Sequence, residues 1–232
     1  MAPSSAGREE FFQPKDLVRL DPCDEDRAIE QGFLMIKNAD PRFRIIDRKT
    51  VWDGFINLEQ ITIEQAMSDG STARLVREVH DHGRAATILL FDPERQVVVL
   101  VRQLRLPVFL QGEKGYLLEA PAGLLDGEAP EVAICREAME ETGYRIETAM
   151  HLFDAYMSPG SITERTSFFL GLIDISKKVA AGGGLAHEGE DIEVLEISFD
   201  EAVAGIGTGE ICDAKTIMLL QWAMLNRASL AK

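Results

Sequence analysis

A chain of 232 residues with 46% hydrophobic residues has the composition of a globular protein of one domain or one and a half. Its net charge of −15 argues against nucleic acid as a partner, because polyanion binding rests on Lys and Arg meeting phosphates. No apolar run is long enough to span a membrane, the opening M-A-P-S-S-A-G-R-E-E has no signal-peptide core, and Cys23, Cys135 and Cys212 lie too far apart for a disulfide or zinc framework, so a cytoplasmic protein with reduced thiols is expected.

Residues 1–40 are polar and charged, with scattered apolar residues, and read as a partly mobile arm. Residues 41–84 read as an antiparallel β unit. Strand-like runs at 43–46, 52–64 and 73–80 are broken by the turn clusters Asp53-Gly54 and Ser68-Asp69-Gly70-Ser71. Two or three strands with one wet face are marginal alone, so the unit must pack on its own chain or on a second copy. His80-Asp81-His82-Gly83 reads as a turn, since no further ligand accompanies the two histidines.

Residues 85–232 read as a second, larger domain. Runs at 85–91 and 97–104 are strands, and V-V-V-L-V has the continuous apolarity of a strand buried on both faces. Arg102 and Arg105 follow, as surface charges or as phosphate ligands. A strand at 116–119 enters a Pro- and Gly-rich loop. A helix then starts at Pro130 and ends at Gly143, a proline suiting the first turn and a glycine the left-handed residue past the last. Strands are expected at 150–157, 166–175 and 192–199. The A-A-G-G-G-L-A-H-E-G stretch at 180–189 reads as a mobile loop, because no Gly-Lys-Ser/Thr follows. Ser198 and Glu201 form a capping box for a short helix, and Asp213 caps a last helix with Ile217, Leu220, Met224 and Leu225 on its apolar face. The order predicts a mixed α/β sandwich with helices covering a sheet.

Glu137, Glu140 and Glu141 share one stripe of the helix at 130–142. Like charges at this spacing cost a helix about 0.2–0.5 kcal/mol each, whereas a hard divalent cation needs such a row of oxygens. Gly123, Glu128, Arg136-Glu137, Glu140-Glu141 and Gly143 together resemble the Nudix box, G-x5-E-x7-R-E-U-x-E-E-x-G-U with U a bulky aliphatic residue. The spacing from Gly123 to Glu128 is one residue short, and Ala138 and Tyr144 stand at the U positions.

The resemblance extends over residues 45–228 and is to the branch of the Nudix family that holds ADP-ribose and GDP-mannose pyrophosphatases. A-G-L-L-D, Y-M-S-P-G, A-G-G-G and E-D-I-E-V-L-E lie nearer the latter. It implies a Nudix-type α/β/α sandwich, a homodimer joined through the N-terminal β unit, and Mg²⁺ as cofactor with Mn²⁺ as a substitute. The implied reaction is hydrolysis of a nucleotide sugar, GDP-mannose to GMP and mannose 1-phosphate. ADP-ribose to AMP and ribose 5-phosphate is the alternative, and an inactive nucleotide-sugar-binding module the second. The resemblance implies metal contacts from the Ala122 carbonyl, Glu137, Glu140, Glu141 and Glu190, with Arg136 orienting the carboxylates. Arg105 would meet the diphosphate, while Pro159, Glu164 and Lys215 match substrate-side positions and Arg77 one supplied across the dimer. Glu188 or Glu164 would activate water, and Trp52 and Phe55 are candidates for stacking on the base.

Overall fold

The computed structural model describes residues 40–81 and 83–230. Of the expected arm at 1–40, residues 1–39, with Cys23, lie outside them, as does His82.

Three strands come first: β1 (Phe43–Asp53), β2 (Asn57–Ala66) and β3 (Thr72–Asp81), side by side in that order. β1 runs to Asp53 without the break expected after residue 46, and the turn falls at Gly54-Phe55-Ile56, where the Gly54 N–H donates to the Ile56 carbonyl. β2 and β3 are antiparallel from Asn57↔Asp81 to Ala66↔Thr72. Arg44 pairs with Glu64, and Arg48 with Glu59, across the β1–β2 seam. The turn expected after residue 80 is present: the Gly83 N–H donates to the Asp81 carboxylate.

The second sheet is built on β4 (Ala85–Asp92) and β5 (Val97–Leu104). Asp92 fastens their turn, its buried carboxylate accepting from the Glu94, Arg95 and Ile175 N–H groups and from the Arg95 side chain. β6 (Tyr116–Glu119), β7 (Ala122–Leu124), β8 (Ala149–Tyr156), β9 (Arg165–Leu172) and β10 (Glu193–Ser198) complete it. The order is β10-β5-β4-β9-β8, with β6 on β5 and β7 on β4. Only β4 and β9 run parallel among the paired strands.

The period of two in these strands divides the core. Leu89, Phe91, Val98 and Leu100 point to one face, under α3 (Phe199–Thr208) and α4 (Ala214–Leu230). Ile88, Leu90 and Val99 point to the other, where α2 (Pro130–Thr142) lays down Ala133, Ile134 and Ala138. The result is the expected α/β/α sandwich.

Three local expectations are corrected. A five-residue helix, α1 (Leu106–Leu110), and the short strand β7 stand where sequence patterning gives only loop. The run at 166–175 ends as a strand at Leu172 and passes into a 3-10 turn at Ile175–Lys177. On α4 the buried residues are Thr216, Leu219, Leu220 and Ala223, and Leu225 is 82% exposed. The apolar face therefore lies one residue away from the expected Met224-Leu225 edge, a rotation that a short apolar pattern does not resolve.

Candidate active site

α2 is the element on which the site is built. Pro130 occupies its first turn, and Gly143 ends it in the left-handed region at φ 77, its N–H donating to the Met139 carbonyl. A side chain at Gly143 would run into the Ala180 carbonyl, because the following loop folds back here. The Gly143 carbonyl accepts from the Val179 and Ala180 N–H groups. The Gly183 N–H then donates to the Glu141 carbonyl at 2.8 Å and the Gly184 N–H to the Glu140 carbonyl at 3.2 Å. The glycine run expected to be a mobile loop is thus the cap of the box helix, supplying donors to carbonyls the helix leaves unpaired.

The loop before the helix turns through two successive left-handed residues, Asp126 and Gly127, with the Glu128 N–H donating to the Leu125 carbonyl at 2.7 Å. This tight turn accommodates the missing residue of the motif. Gly123 is required by approach rather than by φ: a Cβ there would overlap the Glu137 carboxylate. Glu137 therefore lies directly against β7. The two unusual motif positions are packed, with Ala138 and Tyr144 both in the core under α2. The Tyr144 hydroxyl reaches Glu196 on β10 and the Ile175 carbonyl.

Arg136 holds the outer acids. Its Nε donates to Glu128 and its Nη1 to Glu140, each at 3.0 Å, and Nη1 also lies 3.1 Å from Glu137. These carboxylates hold its pKa above the ordinary arginine value against the opposing effect of burial. The inner acids differ. Glu141 is 3% exposed and its buried Oε2 has no hydrogen-bond partner. Burial, then the charges of Glu137 and Glu190, push its pKa well up, against a lowering pull from Arg105. Burial also raises Glu137 to about 7, with Arg136 opposing and Glu140 and Glu190 adding to the shift.

A second cluster faces this one. The Glu119 carboxylate, 2% exposed at the end of β6, accepts from Arg105 Nε at 2.7 Å and Arg105 Nη2 at 3.1 Å. Lys215 Nζ lies 3.6 Å from Glu119 and donates to Asp213 at 2.6 Å. Asp213 caps α4 as expected, accepting from the Thr216 N–H and hydroxyl.

The structure thus brings Glu137, Glu140, Glu141, Glu190, Arg136 and Arg105 into one electrostatic neighbourhood, with Lys215 beside Arg105. Ala122 pairs with Thr87 at the start of β7. Glu190 accepts from the Leu185 N–H at 2.8 Å. Among the described residues no three acidic, His or Cys side chains already converge as a ligand cluster. Arg136 accounts for part of this, since it draws Glu140 toward the outer side. Glu188 lies in a 3-10 turn at Ala186–Glu188, and its side chain is outside the described set.

The other candidates come from parts of the chain outside α2. Pro159 lines a concavity of about 400 Å³ with Tyr156, Ile162, Thr163 and Val79. Glu164 accepts from the Thr166 hydroxyl. Arg77 is exposed on β3 and donates to the Val76 carbonyl. Trp52 lies on β1 and Phe55 in the turn that follows it; at 62% and 87% exposure they are not core aromatics. Sequence reasoning missed Glu119, for a lone acid ending an apolar strand carries no sign of its partners.

Comparison with known proteins gives a consistent picture. The NUDIX domain pattern matches residues 81–219. The GDP-mannose pyrophosphatase of Pectobacterium atrosepticum is 47% identical over 183 residues, covering 78% of this chain and 94% of that protein. That of Escherichia coli O1:K1 is 44% identical, covering 78% and 95%. A crystal structure of an ADP compounds hydrolase superposes with a TM-score of 0.64 at 16% identity, over 84% of this chain and 100% of that one. The chain belongs to the Nudix family.

Proposed function

We propose that this chain is a Mg²⁺-dependent nucleotide-sugar hydrolase that cleaves GDP-mannose to GMP and mannose 1-phosphate. The observation that carries the chemistry is Glu141, a carboxylate sealed from water with an unpartnered oxygen and with Glu137 and Glu190 as electrostatic neighbours. An ionised carboxylate in that position calls for a cation, and an all-oxygen donor set suits Mg²⁺ or Mn²⁺. The substrate rests on identity to GDP-mannose pyrophosphatases across nearly their whole length.

Glu137, Glu141, Glu190 and the Ala122 carbonyl would hold the metal, with Glu140 kept alongside by Arg136. Bound there, a divalent cation supplies charge neutralisation at the diphosphate and a lowered pKa for water. The chain does the rest. Arg105 and Lys215 present fixed positive charge to the diphosphate. Burial of Glu141 strengthens that carboxylate's attraction for a cation. Glu188 or Glu164 would take the proton of the attacking water.

We place the protein in the cytoplasm as a homodimer, in which Arg77 would serve the partner's site. Exposed Val51, Trp52, Phe55 and Val76 on the N-terminal sheet support pairing of that sheet with a second copy. No helix among the described residues is long and apolar enough to cross a membrane.

The test is hydrolysis of GDP-mannose and ADP-ribose in parallel, with and without Mg²⁺, with products identified. Mg²⁺-dependent release of GMP and mannose 1-phosphate is expected. Preference for ADP-ribose refutes the substrate; saturable binding without Mg²⁺-stimulated turnover refutes the enzyme.

A further inference from the structure

We propose that Glu119, which lies outside the R-E-x-x-E-E-x-G stretch, is a positioning residue for this reaction, locking the Arg105 guanidinium so that its unbonded edge is aimed at the diphosphate. The inference rests on the hydrolase reading above and deepens it.

The pair spans the β5–β6 ladder. β5 and β6 are antiparallel, with Val101 opposite Glu119 and Leu104 opposite Tyr116, so Arg105, just past β5, lies at the far end of the ladder from Glu119 and its side chain reaches back to it. The Arg105 N–H donates to the Gly115 carbonyl at 2.7 Å, which pins its backbone. Its side chain then meets Glu119 in a two-pronged contact through Nε and Nη2. Five N–H bonds radiate from a guanidinium, so this contact leaves both Nη1 hydrogens and one on Nη2 pointing away from Glu119. Two parallel hydrogen bonds fix the plane of the group as well as its location.

Glu119 is itself immobilised. The next residue, Ala120, donates its buried N–H to the Thr216 hydroxyl at 2.7 Å, tying the end of β6 to the first turn of α4. The Pro121 carbonyl accepts from the Ile88 N–H and the Thr87 hydroxyl. Lys215, from the same turn of α4, stands over the outer oxygen of Glu119. A charged group this deep is a poor way to add stability, since an apolar side chain of like volume often serves as well or better. It is a good way to hold a cation in one orientation.

The experiment compares wild type, Glu119→Gln, Arg105→Ala and the double variant on GDP-mannose with Mg²⁺, with kcat, KM and the melting temperature read for each. Loss of orientation predicts a kcat for Glu119→Gln lowered between about tenfold and a hundredfold, since misplacement on the scale of 1 Å has that effect. KM should move less than about threefold, because Arg105 keeps its charge. The double variant should be little slower than Arg105→Ala, as Glu119 acts mainly through that side chain, its contact with Lys215 being the longer one. Additive losses, or unchanged kcat in Glu119→Gln, overturn the proposal. If Glu119→Gln fails to fold, Arg105→Lys decides: it keeps the charge but cannot make the two-pronged contact, so wild-type kcat there also overturns the proposal and a kcat lowered at least tenfold supports it. A wild type inert on GDP-mannose defeats the functional reading instead, so the two failures are distinct.

Discussion

Glu137→Gln should make the metal-free protein more stable while removing its activity. In the metal-free fold burial raises the Glu137 pKa from 4.5 to about 7, so ionising it is unfavourable to the folded state. The favourable balance is full below pH 4.5, falls as pH rises, and is gone above about 7, because the folded chain binds the proton that the unfolded chain has released. At 1.36 kcal/mol per unit, the ionised side chain costs the fold up to roughly 3 kcal/mol at pH 8 and less than about 1 kcal/mol at pH 5. Glutamine keeps the shape and carries no charge. For a chain of this length 1 kcal/mol is worth about 2–4 °C, so in EDTA at pH 8 the variant should melt up to roughly 6–12 °C above wild type. The gap should shrink to a few degrees at pH 5. Saturating Mg²⁺ should raise wild type and not the variant, because the cation stabilises the ionised carboxylate. Calorimetry or dye-based melting at both pH values reads all of this. Equal melting points at pH 8 in EDTA, or a gap independent of pH, would refute the account of Glu137 as a buried acid awaiting a cation.

Gly123→Ala should leave the far-UV spectrum unchanged yet lower kcat at least about tenfold, since the new methyl group displaces the Glu137 carboxylate from β7. Gly143→Ala should cost roughly 1–3 kcal/mol in urea unfolding, because the position has φ 77 and a Cβ meets the Ala180 carbonyl. Tyr144→Phe should cost about 1 kcal/mol by the same measurement, the hydroxyl being bonded to Glu196 and the Ile175 carbonyl.

What could be read from the chain beforehand follows from which interactions are local. Pro130 and Gly143 bracket α2 because both signals act within a turn of the helix end, and the acid stripe follows from helical spacing alone. The two strands 85–92 and 97–104 were legible because burial on both faces leaves an unbroken apolar run. Gly182-Gly183-Gly184 misled, since glycine signals backbone freedom without saying whether that freedom is used for motion or for a close approach to the end of α2. β7 is only three residues long and exists because β4 offers it a partner. Glu119 and Arg105 are separated by a helix and a loop, and they meet through the antiparallel return of β6 along β5 and the length of the Arg105 side chain.

The division of charge in the site explains why the inner acids remain available. Arg136, on α2 itself, donates to Glu128 and Glu140 and also lies 3.1 Å from Glu137. Arg105 is held to Glu119, and Lys215 to Glu119 and Asp213. Arg136, Arg105 and Lys215 are thus all engaged by carboxylates other than Glu141, and among the described residues none of the three is hydrogen-bonded to the Glu141 Oε2, which stays unpartnered. Were any of them free to swing inward, it would pair with Glu141 in low dielectric and exclude a metal from the position by neutralising it. Pinning the arginines and the lysine outward therefore serves two ends. In the proposed reaction it would keep positive charge facing the substrate's phosphates, and it leaves buried carboxylates that take up either a proton or an added cation. A protein of net charge −15 that acts, as proposed, on an anionic diphosphate would need both, since neither fixed arginines nor bare carboxylates alone would hold the substrate and activate water beside it.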